Sequence, residues 1–207
     1  MPREGFQSIE SFSKIPDRTQ EVQRKIPSSR EYSAILRKNG LETHEKAFEK
    51  VLAICEAVKK EGGRALLVGG SVRDMVLHRI SKDFDIEIYG LTPQKIEKII
   101  AKFGRVNEVG KAFGILKLSV DGVELDISLP RADSKIGPGA KGFAVKSDPS
   151  MSIKDAARRR DFTMNALAAD PLSGELFDYF GGVEDLRQRR LRVTDPERFL
   201  DDPSRAL

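Results

Sequence analysis

The chain predicts an α/β fold of the α+β kind, a mixed and largely antiparallel sheet flanked by helices, and three observations carry that expectation. The apolar run Leu66-Leu67-Val68 ends in Gly69-Gly70 and opens a helix-like stretch. Shortly after it, Phe84-Asp85-Ile86-Glu87-Ile88-Tyr89 alternates apolar and acidic residues with the period of a strand. Two further alternating runs flank Asp121-Gly122, a dipeptide suited to a tight hairpin turn.

Taken in order, residues 1–41 mix Ser, Pro, Gln and both charge signs with scattered apolar residues, and read as a flexible or partly ordered N-terminal extension. Residues 44–60 form an amphipathic helix with Thr43 as its cap. In it Ala47, Val51, Ile54, Cys55 and Val58 share a face, so Cys55 belongs to the core and is no nucleophile. A buried strand over 64–68 leads to a helix over 71–78, and the acidic strand follows at 84–89. Thr92-Pro93 caps and opens a helix to about 103. Strands follow at 105–109, 115–120 and 123–129. Residues 130–150 hold Lys135-Ile136-Gly137-Pro138-Gly139-Ala140-Lys141-Gly142 and read as a mobile loop, and a helix opens around Ser152.

Side chains two apart on a strand share a face, so Asp83 and Asp85 project together while Phe84, Ile86 and Ile88 turn to the core. Paired carboxylates repel each other unless a cation sits between them, and an all-oxygen set suits Mg²⁺. Gly69 and Gly70 lack Cβ atoms and precede a helix N-terminus, a combination that lets a phosphate chain approach the backbone. On the hairpin, Val123, Leu125, Ile127 and Leu129 take one face and Glu124, Asp126 and Ser128 the other. Asp126 is thus presented as Asp83 and Asp85 are; Glu124 competes for the same role from nearer the turn, and Glu87 either lines the site or is a solvated strand residue.

These motifs, with Gly69-Gly70-Ser71-Val72-Arg73-Asp74, Arg159-Arg160-Asp161-Phe162-Thr163-Met164-Asn165, Phe177-Asp178-Tyr179-Phe180-Gly181-Gly182 and Asp201-Asp202-Pro203-Ser204-Arg205, appear in one order. In that order the chain resembles, from about residue 66 to its end, the bacterial-type (class II) tRNA CCA-adding enzymes and poly(A) polymerases. These belong to the nucleotidyltransferase superfamily that shares its fold with DNA polymerase β.

The resemblance implies a catalytic head over 42–180, with residues 181–207 beginning a nucleotide-selecting neck that is cut short and no helical body or tail. It implies Asp83, Asp85 and Asp126 as catalytic metal ligands, with Gly69, Gly70, Ser71 and Arg73 around the phosphates. Arg73 either supports the phosphates or pairs with Asp74. Asp161 and Asn165, four apart, contact the ribose and phosphates of the nucleotide, Arg158 or Arg160 reaches the triphosphate, and Arg159 is solvated or paired to an acid. Asp202 and Arg205, three apart on a helix, present an acceptor and a forked donor to the base edge. The implied substrates are CTP and ATP with a tRNA or other RNA 3′ end, and the implied cofactor is Mg²⁺.

Composition agrees. A net charge of +4 favours an anionic partner. A single cysteine excludes an intrachain disulfide and suits a reducing compartment. His44 and His78 are too few and too isolated for a zinc site. No apolar run is long enough for a membrane span and the N-terminus carries no apolar signal core, so the expectation is a cytoplasmic protein.

Overall fold

The computed structural model describes residues 25–107, 115–135 and 143–199. Helix α1 (Ser29–Lys38) begins at Ser28, whose hydroxyl accepts from the Glu31 N–H while the Glu31 carboxylate accepts from the Ser28 N–H. This reciprocal cap orders part of the stretch expected to be a flexible or partly ordered extension to residue 41. Tyr32 and Leu36 are buried, and the Tyr32 ring packs edge-on against Phe48 and Phe84 at centroid distances of 4.8 and 6.5 Å. Few apolar residues mark this helix in the sequence, and only Tyr32 and Leu36 among them are buried.

Helix α2 (Glu42–Lys60) buries Ala47, Phe48, Val51, Ile54, Cys55 and Val58. It starts earlier than expected, from Leu41 without a side-chain cap, so Thr43 lies inside the first turn. The remaining elements before the hairpin are β1 (Arg64–Val68), α3 (Gly70–Val76), β2 (Phe84–Tyr89), α4 (Pro93–Ile100) and β3 (Val106–Asn107). Thr92 caps α4 through the Lys95 N–H, with Pro93 in its first turn. Strands β4 (Ile115–Val120) and β5 (Val123–Ser128) turn at Asp121 and Gly122, both at positive φ as a two-residue hairpin turn requires.

The segment expected to be a mobile loop instead contains β6 (Arg131–Lys135) and β7 (Phe143–Ser147), antiparallel to each other in a separate two-stranded sheet. The glycine, proline and lysine residues between the two strands gave the segment the composition of a loop. Lys141 lies outside the described residues. The chain continues through α5 (Ile153–Arg158), a 3-10 turn at Thr163–Asn165, β8 (Ala168–Ala169), β9 (Leu176–Phe177), α6 (Gly182–Arg187) and α7 (Pro196–Phe199).

The main sheet runs β3-β4-β5-β2-β1-β8-β9. Only β2 and β5 pair in parallel; the other neighbours are antiparallel, as the sequence predicts. Alternation gives its faces different tasks. Leu67, Phe84, Ile86, Ile88, Leu125 and Ile127 join α1, α2 and α4 in the main core. On the other face Leu66, Val68 and Tyr89 pack with Ala156 of α5 and Ala168 in a smaller cluster. The carboxylates of β2 and β5 share this second face, beside that cluster.

Candidate active site

Gly69 joins β1 to α3 with φ 72° and ψ −132°, a conformation that side chains disfavour. Its N–H donates to the Leu167 carbonyl at 3.0 Å, and its own carbonyl accepts from the Arg73 N–H at 3.1 Å. Ser71 is buried and its hydroxyl donates to the Val68 carbonyl at 3.1 Å. The Ser71 side chain therefore closes the turn.

Register aligns the acidic residues. Asp85 sits directly beside Asp126 across the parallel β2–β5 pair. Asp83 precedes β2 and is exposed, its carbonyl accepting from the Ser81 hydroxyl at 2.8 Å. The Ser81 N–H in turn reaches the Tyr32 hydroxyl at 3.4 Å, so α1 braces the segment that presents Asp83. Burial raises the Asp85 pKa above the ordinary carboxylate range; Arg160 opposes this, Asp126 and Asp83 add to it, and Lys117 opposes it. Glu124 lies nearer the turn and opposite Ser119, apart from Asp85.

Lys117 is a site residue that the sequence reading missed. It faces Asp126 across the hairpin, its ammonium 2.9 and 3.0 Å from the two carboxylate oxygens and 3.2 Å from Glu124. The signal was present, because a two-residue turn at Asp121-Gly122 pairs Val120 with Val123 and, counting outward, Lys117 with Asp126.

The donor set fits a hard divalent cation: register-matched Asp85 and Asp126, with exposed Asp83 just before β2, without sulfur or imidazole, where burial already disfavours the charge on Asp85. Among the described residues no three such side chains are gathered closely enough to hold an ion as they stand. Each Asp126 oxygen keeps a lone pair beyond its contact with Lys117.

The three consecutive arginines separate. Helix α5 is capped by Ser152 and ends at Arg158, so Arg159 is its C-cap and Arg160 lies beyond it, where one continuous helix was expected. Arg158 donates from Nε to Asp195 at 2.6 Å. It is committed there, which leaves Arg160 as the better candidate for a triphosphate. Arg159 pairs with buried Glu87 at 3.1 Å. Arg160 lies against the glycine turn: a Cβ built on Gly69 would stand 2.7 Å from its Nη1 and 3.7 Å from Asp85 Oδ2.

Asp161 and Asn165 do meet, though not along a helix. The bend into the 3-10 turn lets Asn165 donate to Asp161 at 3.1 Å, while Arg73 donates to Asn165 at 2.8 Å and pairs with Asp74 at 2.9 Å. The chain after residue 180 is fastened to the same place. Asp185 accepts from the Thr163 hydroxyl at 2.6 Å and from Arg192 at 2.8 Å, and the Thr194 N–H donates to the Asp161 carbonyl at 2.9 Å. Residues 181–199 thus pack on the head, across the boundary expected at 180. Asp202 and Arg205 lie outside the described residues.

A helix-flanked mixed sheet with a glycine turn beside register-matched carboxylates has the form of a nucleotidyltransferase head. The family model for the poly(A) polymerase head domain matches residues 65–192. The chain belongs to that family, the class II CCA-adding and poly(A) polymerase head domains. It is 41% identical over 141 residues to the Multifunctional CCA protein of Xanthomonas campestris pv. campestris strain B100, a match spanning 68% of this chain and 32% of that protein. The corresponding protein of Stenotrophomonas maltophilia strain K279a is 40% identical over 141 residues, covering 68% of this chain and 33% of that one.

Among solved structures, the Bacillus stearothermophilus CCA-adding enzyme in complex with CTP superposes with a TM-score of 0.60 at 31% identity, over 77% of this chain and 37% of that one. The Thermotoga maritima CCA-adding enzyme complexed with tRNA gives a TM-score of 0.59 at 26% identity, over 77% and 35%. The chain spans about a third of the length of the curated relatives it matches.

Proposed function

We propose that this chain is the catalytic head of a template-independent RNA nucleotidyltransferase that adds CTP- and ATP-derived nucleotides to an RNA 3′ end, as in CCA addition to tRNA. The observation that carries the reading is the register match of Asp85 with Asp126, beside Gly69 and Arg160. The names of the relatives, CCA proteins and CCA-adding enzymes, favour tRNA as the acceptor.

In the proposed reaction an RNA 3′-hydroxyl attacks the α-phosphorus of the nucleotide and pyrophosphate leaves. Asp83, Asp85 and Asp126 would hold Mg²⁺, which when bound supplies charge neutralisation at the phosphates and lowers the pKa of the attacking hydroxyl. Lys117 orients Asp126 and balances its charge. Arg160 and the backbone at Gly69 and Gly70 receive the triphosphate. Asp161 and Asn165, tied to Arg73, form the contact surface for the ribose. Such a protein works where tRNA and nucleoside triphosphates are found, in the cytoplasm. Among the described residues no helix is long and apolar enough to cross a membrane.

The test is incubation with Mg²⁺, a tRNA lacking its terminal CCA, and each labelled nucleotide in turn. Ordered incorporation of C, C and A is expected. Long A tracts would instead support poly(A) synthesis, the activity in the family model's own description. Nucleotide binding without incorporation would reduce the reading to a binding head, and neither binding nor incorporation would overturn it.

A further inference from the structure

Glu87 is one of the few charged residues in the fold that is almost wholly buried, its side chain only 2% exposed. It shares the sheet face of Asp85, two residues further along β2. A carboxylate withdrawn from water must be matched by partners, and Glu87 has one for each oxygen. Arg159 Nη2 lies 3.1 Å from Oε1, and the Tyr89 hydroxyl donates to Oε2 at 2.6 Å. Burial and the neighbouring Glu87 charge push the Tyr89 pKa far above its ordinary value, so its hydroxyl stays a donor.

Arg159 and Arg160 are adjacent, and their guanidinium groups repel each other. Burial lowers the Arg160 pKa, Glu87 opposes this, Arg159 adds to it, and Asp85 opposes it. Two guanidinium groups lie against the glycine turn, Arg160 at Gly69 and Arg73 at Gly70, and Arg159 is at neither. Arg160 faces Gly69, whereas Arg159 is drawn to Glu87.

We infer that Glu87 is a positioning residue that sequesters Arg159, leaving Arg160 as the guanidinium that serves the triphosphate beside Gly69. The inference rests on the nucleotidyltransferase reading and deepens it. By holding one guanidinium away, Glu87 keeps the site from gripping a triphosphate through arginine alone. Tight binding then depends on the cation brought to Asp83, Asp85 and Asp126. Neither the Glu87–Arg159 pair nor Tyr89 touches the ligand in this scheme.

The test is titration of the 207-residue chain with inorganic tripolyphosphate and with CTP, each with and without Mg²⁺, alongside a thermal melt. Glu87→Gln keeps the shape and an acceptor for Tyr89 but releases Arg159. It is expected to tighten tripolyphosphate binding without Mg²⁺ by about tenfold, the order that one charge-assisted hydrogen bond supplies. The double variant Glu87→Gln with Arg159→Gln should return to the wild-type value. Arg159→Gln alone, which leaves the carboxylate in place, should bind tripolyphosphate as wild type does and stands as the second test if Glu87→Gln does not fold. Unchanged or weaker binding by folded Glu87→Gln would make Glu87 a purely structural residue and overturn the inference. A tenfold loss in Arg159→Gln would show that Arg159 already serves the ligand, and would overturn the inference as well. A wild-type chain that binds neither CTP nor tripolyphosphate even with Mg²⁺ would overturn the nucleotidyltransferase reading together with this inference.

Discussion

Replacing Gly69 by alanine should separate the two glycines that the sequence presents as equals. At Gly69 the backbone has φ 72° and ψ −132°, a region close to glycine's own, and holding a side chain there costs about 1–3 kcal/mol. The added Cβ would also stand 2.7 Å from Arg160 Nη1, displacing a flexible guanidinium toward Asp85. At Gly70 a Cβ would meet nothing closer than Arg73 Nη2 at 3.6 Å, an ordinary contact, and φ is not positive. Alanine is a better helix former than glycine by about 0.5–1 kcal/mol, so Gly70→Ala should be neutral or stabilising. For a chain of this size about 1 kcal/mol moves Tm by about 2–4 °C, so Gly69→Ala should lower Tm by about 2–12 °C while Gly70→Ala leaves it unchanged or raised. Thermal unfolding followed by circular dichroism measures both, and CTP titration should show weaker binding in Gly69→Ala through the displaced Arg160. Equal losses in the two variants, or none in Gly69→Ala, would refute the reasoning.

Asp85→Asn should stabilise the protein without divalent ions at neutral pH. The folded state raises the Asp85 pKa, chiefly by burial, and so binds more protons than the unfolded state as pH climbs from the ordinary carboxylate range through the raised value. Stability drops across that window, so the asparagine variant should gain above it, by about 0.5–2 kcal/mol, and gain nothing below it; a pH series of melts with no difference at pH 7 would contradict this. Cys55, whose thiol burial pushes up to about 12, should resist alkylation at pH 8 until urea unfolds the chain, and rapid labelling of the native protein would count against its core position. Gly182→Ala would bring a Cβ within 2.2 Å of the Thr163 carbonyl, so α6 must shift off the 3-10 turn. It should cost about 3 kcal/mol or more, read as a loss of Tm, and a neutral result would mean that residues 181–199 are not seated as described.

Legibility in the sequence followed the physical signal available to each element. The strands β1, β2, β4 and β5 were readable because one face is apolar throughout, and the same alternation sets Asp85 beside Asp126 on the other face. Helix α4 was readable from Thr92-Pro93. The β6–β7 pair was hidden because the glycine, proline and lysine residues between its strands gave the whole segment the composition of a loop, and α1 because its cap, Ser28 with Glu31, sits in a polar stretch. The arginines could not be resolved from spacing: three consecutive residues look alike until the helix ends at Arg158 and the chain bends. Their assignment then depends on acids far away in sequence, Asp195 for Arg158 and Glu87 for Arg159. Only Lys117 was both missed and within reach, since hairpin counting alone pairs it with Asp126.

Sheet order also orients the ligand under the proposed function. Across the site face the order is Lys117 on β4, Asp126 on β5, Asp85 on β2, and then the end of β1 at Gly69 with Arg160 against it. Charge therefore changes sign along a single line, with the carboxylates between two cationic borders. A triphosphate is repelled from bare carboxylates and attracted to Arg160 and the glycine backbone, so its β- and γ-phosphates belong at the β1 border. The α-phosphate then falls over Asp85 and Asp126, where only a divalent cation makes its negative charge tolerable. The β4 border, where Lys117 stands, is left for the incoming RNA 3′ end, on the side opposite the departing pyrophosphate, as in-line attack requires. Both ends of the site carry positive charge, and RNA and triphosphate are both polyanions. Glu87 holds Arg159 in a pair of its own, and the β1 border presents Arg160 at Gly69.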